Sequence, residues 1–162
     1  MSRFIAATGI LLAVTATLVG CTEEEEPKPQ WTEESAYAAA EETFRAFNHA
    51  VYDDEEGTLE YVTGEMVTLE QEAEEKARTA ELAIRGNASI LSFEASSFRR
   101  VGHEVVVMAA ASVDASRIEV RTEAEDWRQP REKPVYGVKL TFTSADSKML
   151  IDDYYDSEEV PC

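Results

Sequence analysis

From Thr32 onward the spacing of apolar residues changes once, from a helical to a strand-like rhythm. Thr32 is placed to cap a helix, with Glu33 and Glu34 in the first turn, where the helix dipole favours anions. Tyr37, Ala40, Phe44, Phe47 and Val51 then recur at helical steps and form one apolar stripe. Asp53-Asp54-Glu55-Glu56-Gly57 breaks the stripe, and a short helical turn over Leu59 to Val62 is expected next. A second helix is predicted from Glu65 to Ala83. It carries Met66, Leu69, Ala73, Ala77, Ala80 and Ile84 along a side expected to enter the core. Its other face sets Glu72 against Lys76 and Glu74 against Arg78, each pair four residues apart.

Strand rhythm begins at Ser89. Ser89 to Phe98 alternates, with Leu91, Phe93 and Ala95 predicted on one face, and Val101-Gly102-His103 marks a hairpin turn. Glu104 to Asp114 holds an unbroken apolar run, Val105 to Ala111, which predicts a strand covered on both faces. Arg117 to Thr122 alternates with Ile118 and Val120 inward, whereas Glu123 to Pro134 is charged, holds two prolines and reads as a loop. Val135 to Thr143 puts Tyr136, Val138, Leu140 and Phe142 on one face, and Ser144 to Ser147 turns the chain into a last strand, Lys148 to Tyr155. Helices followed by strands predict an α+β domain.

Residues 1–20 follow a different pattern. Arg3 is followed by an uncharged apolar stretch, Phe4 to Val19, and small residues lead up to Cys21. That is the layout of an export signal, and Thr8, Gly9, Thr15 and Thr17 dilute it too far for a membrane span. Leu18-Val19-Gly20-Cys21 resembles the lipobox of bacterial lipoproteins, [LVI]-[ASTVI]-[GAS]-Cys. The resemblance implies a diacylglyceryl group on the Cys21 sulfur and cleavage after Gly20. Two acyl chains hold where a single one binds only marginally. Residues 21–30 then form the lipidated cysteine and an acidic tether, and residues 31–162 the folded domain. Thr22 to Gln30 reaches at most about 30 Å, with Glu23 to Glu26 mutually repelling and Pro27 and Pro29 stiffening it.

Charge sharpens this picture. The chain has 15 basic and 33 acidic residues, net −18; cleavage removes Arg3 and leaves −19. Thr32 to Ala83 carries 15 acidic and 3 basic residues, Ile84 to Cys162 14 and 10. So acidic a surface repels phosphate backbones, which excludes nucleic acid as a partner, and covalent lipid becomes the expected link to the membrane.

Helix, helix and a meander of about four long strands is similar to the cystatin-like cone fold of the nuclear transport factor two superfamily, in which a curved antiparallel sheet wraps the first helix around a cavity. "SAYAAAEETFRAF", "TLEYVTGEM", "SVDASRIEV" and "SKMLIDDYYD" resemble segments of actinobacterial lipoproteins of uncharacterised function with such a domain. The resemblance implies a cavity lined by Phe44, Phe47, Phe93 and Tyr136. It also implies a cysteine in the second long strand that pairs with one near the C-terminus. Ser112 stands at that position here, which leaves Cys162, once Cys21 is acylated, as a free tail thiol or a cross-link between two chains.

Catalytic chemistry finds little support. His49 falls on the polar side of the first helix and His103 in the hairpin turn, with no spacing suited to zinc. Asp152, Asp153 and Asp156 with Tyr154 and Tyr155 form a tempting cluster. Regular alternation sends Asp152 and Asp153 to opposite faces, however, leaving one of them to line the cone mouth. No nucleophile elbow, P-loop or dinucleotide fingerprint is present, and the DDEEG run lacks calcium-loop spacing. No metal, cofactor or catalytic residue is therefore expected. The sequence predicts a non-catalytic lipoprotein of the cell envelope, on the extracytoplasmic face of the membrane, meeting an envelope protein. A small apolar ligand in the cone is the alternative, and an isomerase or dehydratase the remote one.

Overall fold

The computed structural model describes residues 31–52 and 57–160, so the signal, Cys21, the tether and Cys162 lie outside the described residues. The order is α1 (Glu33–Ala50), a 3-10 turn (Leu59–Tyr61), α2 (Glu65–Thr79), β1 (Ala83–Arg85), β2 (Ser89–Val101), β3 (Glu104–Asp114), β4 (Glu119–Arg121), β5 (Val135–Ala145) and β6 (Lys148–Asp156). β2, β3, β5 and β6 form an antiparallel sheet in that order, and β1 pairs with β4 in a separate two-stranded sheet. The domain is α+β with a curved four-stranded sheet, as the sequence predicts. Among the described residues no helix is long and apolar enough to cross a membrane.

α1 starts where expected. Thr32 Oγ1 accepts from the Ser35 amide at 3.1 Å, and Ser35 Oγ accepts from the Thr32 amide at 2.9 Å, a reciprocal cap. Ala36, Ala40, Phe44 and Phe47 are buried against one face of the sheet, with Tyr37 and Val51 packed at the margin of the core, and Ala50 is buried as well. Facing them are Val105, Val107, Ala109, Ala111 and Val113 of β3, Val138, Leu140 and Phe142 of β5, and Met149 and Ile151 of β6.

α2 departs from expectation. It ends at Thr79, and Glu81 takes a left-handed backbone (φ 50°) that stops the helix. Ile84 therefore sits in β1 opposite Val120 rather than on a helix. Of the predicted stripe only Met66 is buried, and Leu69 is 56% exposed, because a stripe made mostly of alanine has little surface to bury. Lys76 pairs with Glu72 at 3.5 Å as expected, but Arg78 pairs with Glu75 rather than Glu74.

Strand alternation is interrupted three times. In β2 the pairing skips Leu91 and Ser96, so Ile90, Phe93, Ala95 and Phe98 stand opposite buried β3 residues and Leu91 turns out, 56% exposed, contrary to its predicted inward place. In β6 it skips Asp152, which keeps Ile151 inward and then brings Tyr154 inward in place of Asp153. β3 buries one face rather than the predicted two. On its other face Val106 and Ala110 are half-buried and Met108 is 39% exposed. Ser112 on that face is covered, because the tail beyond β6 crosses the neighbouring Gly137 and buries Val160. Arg117 to Thr122 shortens to β4, with Ile118 and Val120 inward as predicted in a small core with Ala115.

Arg100, near the end of β2, donates to the Trp31 carbonyl, so the chain enters the domain beside the β2–β3 hairpin. β5 runs towards that end, so its first residue, Val135, lies at the opposite end of the sheet, about 34 Å from its last.

Candidate functional site

The far end, away from Trp31, gathers the polar groups that the fold places inside. Tyr52 follows α1, Tyr136 opens β5 and Tyr154 closes β6. The Tyr52 hydroxyl links to that of Tyr136, and Tyr136 to Tyr154. Arg131, from the loop before β5, lies 3.8 Å from the centre of the Tyr136 ring. It also forks onto Asp156, Nη1 to Oδ2 at 2.7 Å and Nη2 to Oδ1 at 3.2 Å. That bond to Asp156 raises the guanidinium pKa further.

Burial dominates the titration of the three phenols. It pushes Tyr52 far up and Tyr136 up to about 12, and it raises Tyr154 as well. At neutral pH all three therefore remain protonated; they can donate and accept hydrogen bonds but cannot act as bases. Among the described residues no group of three or more His, Cys, Asp or Glu side chains could hold a metal ion.

Two grooves flank the tyrosine chain. One, of 330 Å³, is lined by Tyr52 with Arg45, Asn48, His49 and Asn87. The other, of 660 Å³, is lined by Tyr136 with Arg131, Lys133, Val135, Asp156 and Val160. Tyr52 and Tyr136 thus form a wall between an amide-rich hollow and a mixed apolar and charged one.

The four residues expected to line a cone cavity meet different surroundings. Phe44 and Phe93 stack at 6.0 Å between ring centres, Phe93 meets Phe142 at 6.2 Å, and Phe47 meets Tyr154 at 6.2 Å. These rings fill the space between α1 and the sheet, while Tyr136 reaches the groove. Of the tail cluster, Tyr154 and Asp156 join the site. Asp153 is exposed and accepts from the Tyr154 amide, and Tyr155 is 48% exposed. Asp152 is exposed too, and its carboxylate lies so close to Gly64 that a Cβ there would come within 2.6 Å of an oxygen. His49 lines the smaller groove and His103 stands exposed in its turn. Sequence reasoning missed Tyr52, Arg131 and Val160; the tyrosine at the end of an apolar stripe was the one available signal.

No family model matches the chain, and no curated protein matches it. Among solved structures it is similar to the crystal structure of the intermembrane space region of chloroplast protein ARC6, with a TM-score of 0.54 and 12% identity over 79% of this chain and 98% of that one. At that identity the likeness extends to the fold alone.

Proposed function

We propose that this chain is a cell-envelope lipoprotein, cleaved after Gly20 and anchored through Cys21 at the extracytoplasmic face of the cell membrane. Its cone-type domain acts as a non-catalytic interaction module. The observation that carries the reading is the aromatic filling between α1 and the sheet: Phe44, Phe93 and Phe142 occupy the place a cone ligand would take, so recognition falls to the surface. Trp31 joins the domain at the end opposite the tyrosine wall, so a tethered domain holds its two grooves away from the bilayer. The partner that fits is another envelope protein reaching Tyr136, Arg131 and Lys133.

Metabolic labelling with a clickable fatty acid tests the anchor. Wild type should label, and Cys21→Ala should remain an unlabelled precursor; an unlabelled wild-type band overturns it. A photo-reactive residue at exposed Lys133 tests the module and should give a discrete adduct with an envelope protein, absent when the same residue replaces Ser147 at the near end. An apolar molecule retained in native mass spectra, with no adduct, would replace this reading with ligand binding.

A further inference from the structure

The sheet face turned away from α1 is apolar where a solvated face should be polar. An antiparallel sheet with one wet side alternates apolar and polar residues. β3 instead presents Val106, Met108 and Ala110 outward, with Met108 39% exposed. The register extends this strip sideways in three rows: Arg99, Val106, Thr143 and Leu150; Ser97, Met108, Thr141 and Asp153; Glu94, Ala110, Lys139 and Tyr155. The apolar groups lie in the middle and the charges mostly at the rim.

We propose that a second copy of this chain docks on this face, sheet against sheet, about a two-fold axis parallel to the strands between β3 and β5. That axis lays β2 over the partner's β6 and β3 over the partner's β5. Arg99 then comes beside the partner's Asp153, and Glu94 over the partner's Tyr155, while Lys139 keeps Glu159 of its own chain. Each contact occurs twice, as a two-fold interface requires. The other in-plane axis, across the strands, would lay the middle row on itself and set Asp153 against the partner's Asp153. Edge pairing is a poorer route, because the bulges at Leu91 and Ser96 break the free edge of β2.

The direction of the axis also fits the proposed anchoring, and in this respect the inference rests on that reading. A two-fold parallel to the strands puts both Trp31 residues at the same end, so both tethers can enter one membrane. Strand spacing and rise give the face about 400 Å² per copy, roughly half of what a standard interface contributes from each side. The pair is therefore weak in free solution and depends on the local concentration that sharing a membrane provides.

The test places a photo-reactive amino acid at Met108, and separately at Thr141, in the full chain made in a bacterial host. Both should cross-link into a homodimer, with peptides joining the probe to β3 or β5 of the partner. Arg99→Asp should cut the yield at least fivefold, and Arg99→Asp combined with Asp153→Arg should restore it. Monomer alone from both probes overturns the proposal, as do adducts with a different protein only, equal dimer yield from a probe at Leu69, or a charge pair that fails to rescue. Fatty-acid label on the same band reports the anchor independently, so loss of dimer with label intact counts against this interface and not against the anchor.

Discussion

Gly137→Ala tests how the C-terminal tail is held. Gly137 lies on β5 with its missing side chain directed at the tail, and a Cβ there would sit 2.4 Å from Val160 Cβ, 2.8 Å from Ser157 O and 2.9 Å from Val160 O. Two of these atoms are backbone and the third belongs to a branched side chain, so no rotamer change relieves the contact. The tail must lift. Lifting exposes Val160, worth about 1.5 kcal/mol, and strains the Ser157 N to Gly137 O bond, 2.8 Å, worth about 1 kcal/mol net. Alanine returns about 0.5–1 kcal/mol by constraining the unfolded chain. The expected net loss is about 1.5–2 kcal/mol, bounded because the tail can peel away completely. Urea denaturation measures it, and hydrogen exchange at residues 157–160 should rise with it. Truncation after Asp156 removes all three clashing atoms, Ser157 O included. In that background Gly137→Ala should be neutral or slightly stabilising. An equal loss in both backgrounds refutes the reasoning, since the clash would then lie elsewhere.

Tyr136→Phe should flatten the alkaline limb of stability. A phenol held at about 12 when folded against about 10 unfolded binds its proton more tightly in the native state, so its contribution is complete below pH 10 and fades between 10 and 12. The fade is at most about 3 kcal/mol, and wild type and variant should diverge in urea midpoints only below that window. Ser112 Oγ is buried with no hydrogen-bond partner, so Ser112→Ala should raise stability by about 1 kcal/mol in the same assay; a loss of that size would reveal a missing bond. Phe44→Ala should cost about 3–5 kcal/mol and Leu69→Ala less than about 0.5, a contrast that the equal standing of both residues in sequence-based stripes does not predict. In α2, residues 70–79 should exchange amide hydrogens far faster than α1, because its burial is concentrated at Met66 and a short helix held by exposed ion pairs is marginal; equal protection would sink that reading.

α1, the four long strands and the inward face of β5 were legible because each buries one continuous face, and burial imposes a period. α2 was legible as a helix but not as an exposed one: periodicity reports which residues share a side, not whether anything lies against it. Of the small sheet β4 was legible from Ile118 and Val120, but β1 was hidden for a different reason. The three residues Ala83–Arg85 are too few to show alternation, and their pairing joins residues about 35 positions apart.

The tyrosine wall shows most clearly where such reading stops. A strict two-residue period from Met149 and Ile151 sends Asp153 inward and Tyr154 outward, yet one extra residue at Asp152 exchanges them. That single skip buries an aromatic ring against Phe44 and Phe47 and leaves a carboxylate in water. Burying Asp153 without a partner would cost several kcal/mol, whereas burying the ring is favourable, so the energy of the two placements selects the bulge although alternation alone cannot. The same logic acts in β2, where skipping Leu91 and Ser96 keeps Ile90, Phe93, Ala95 and Phe98 on the core and bends the strand. In both strands the bulge is readable only after the interior is known. The far-end site depends on it, since without the skip at Asp152 Tyr155 would face the core in place of Tyr154, and Asp156, the partner of Arg131, would turn outward.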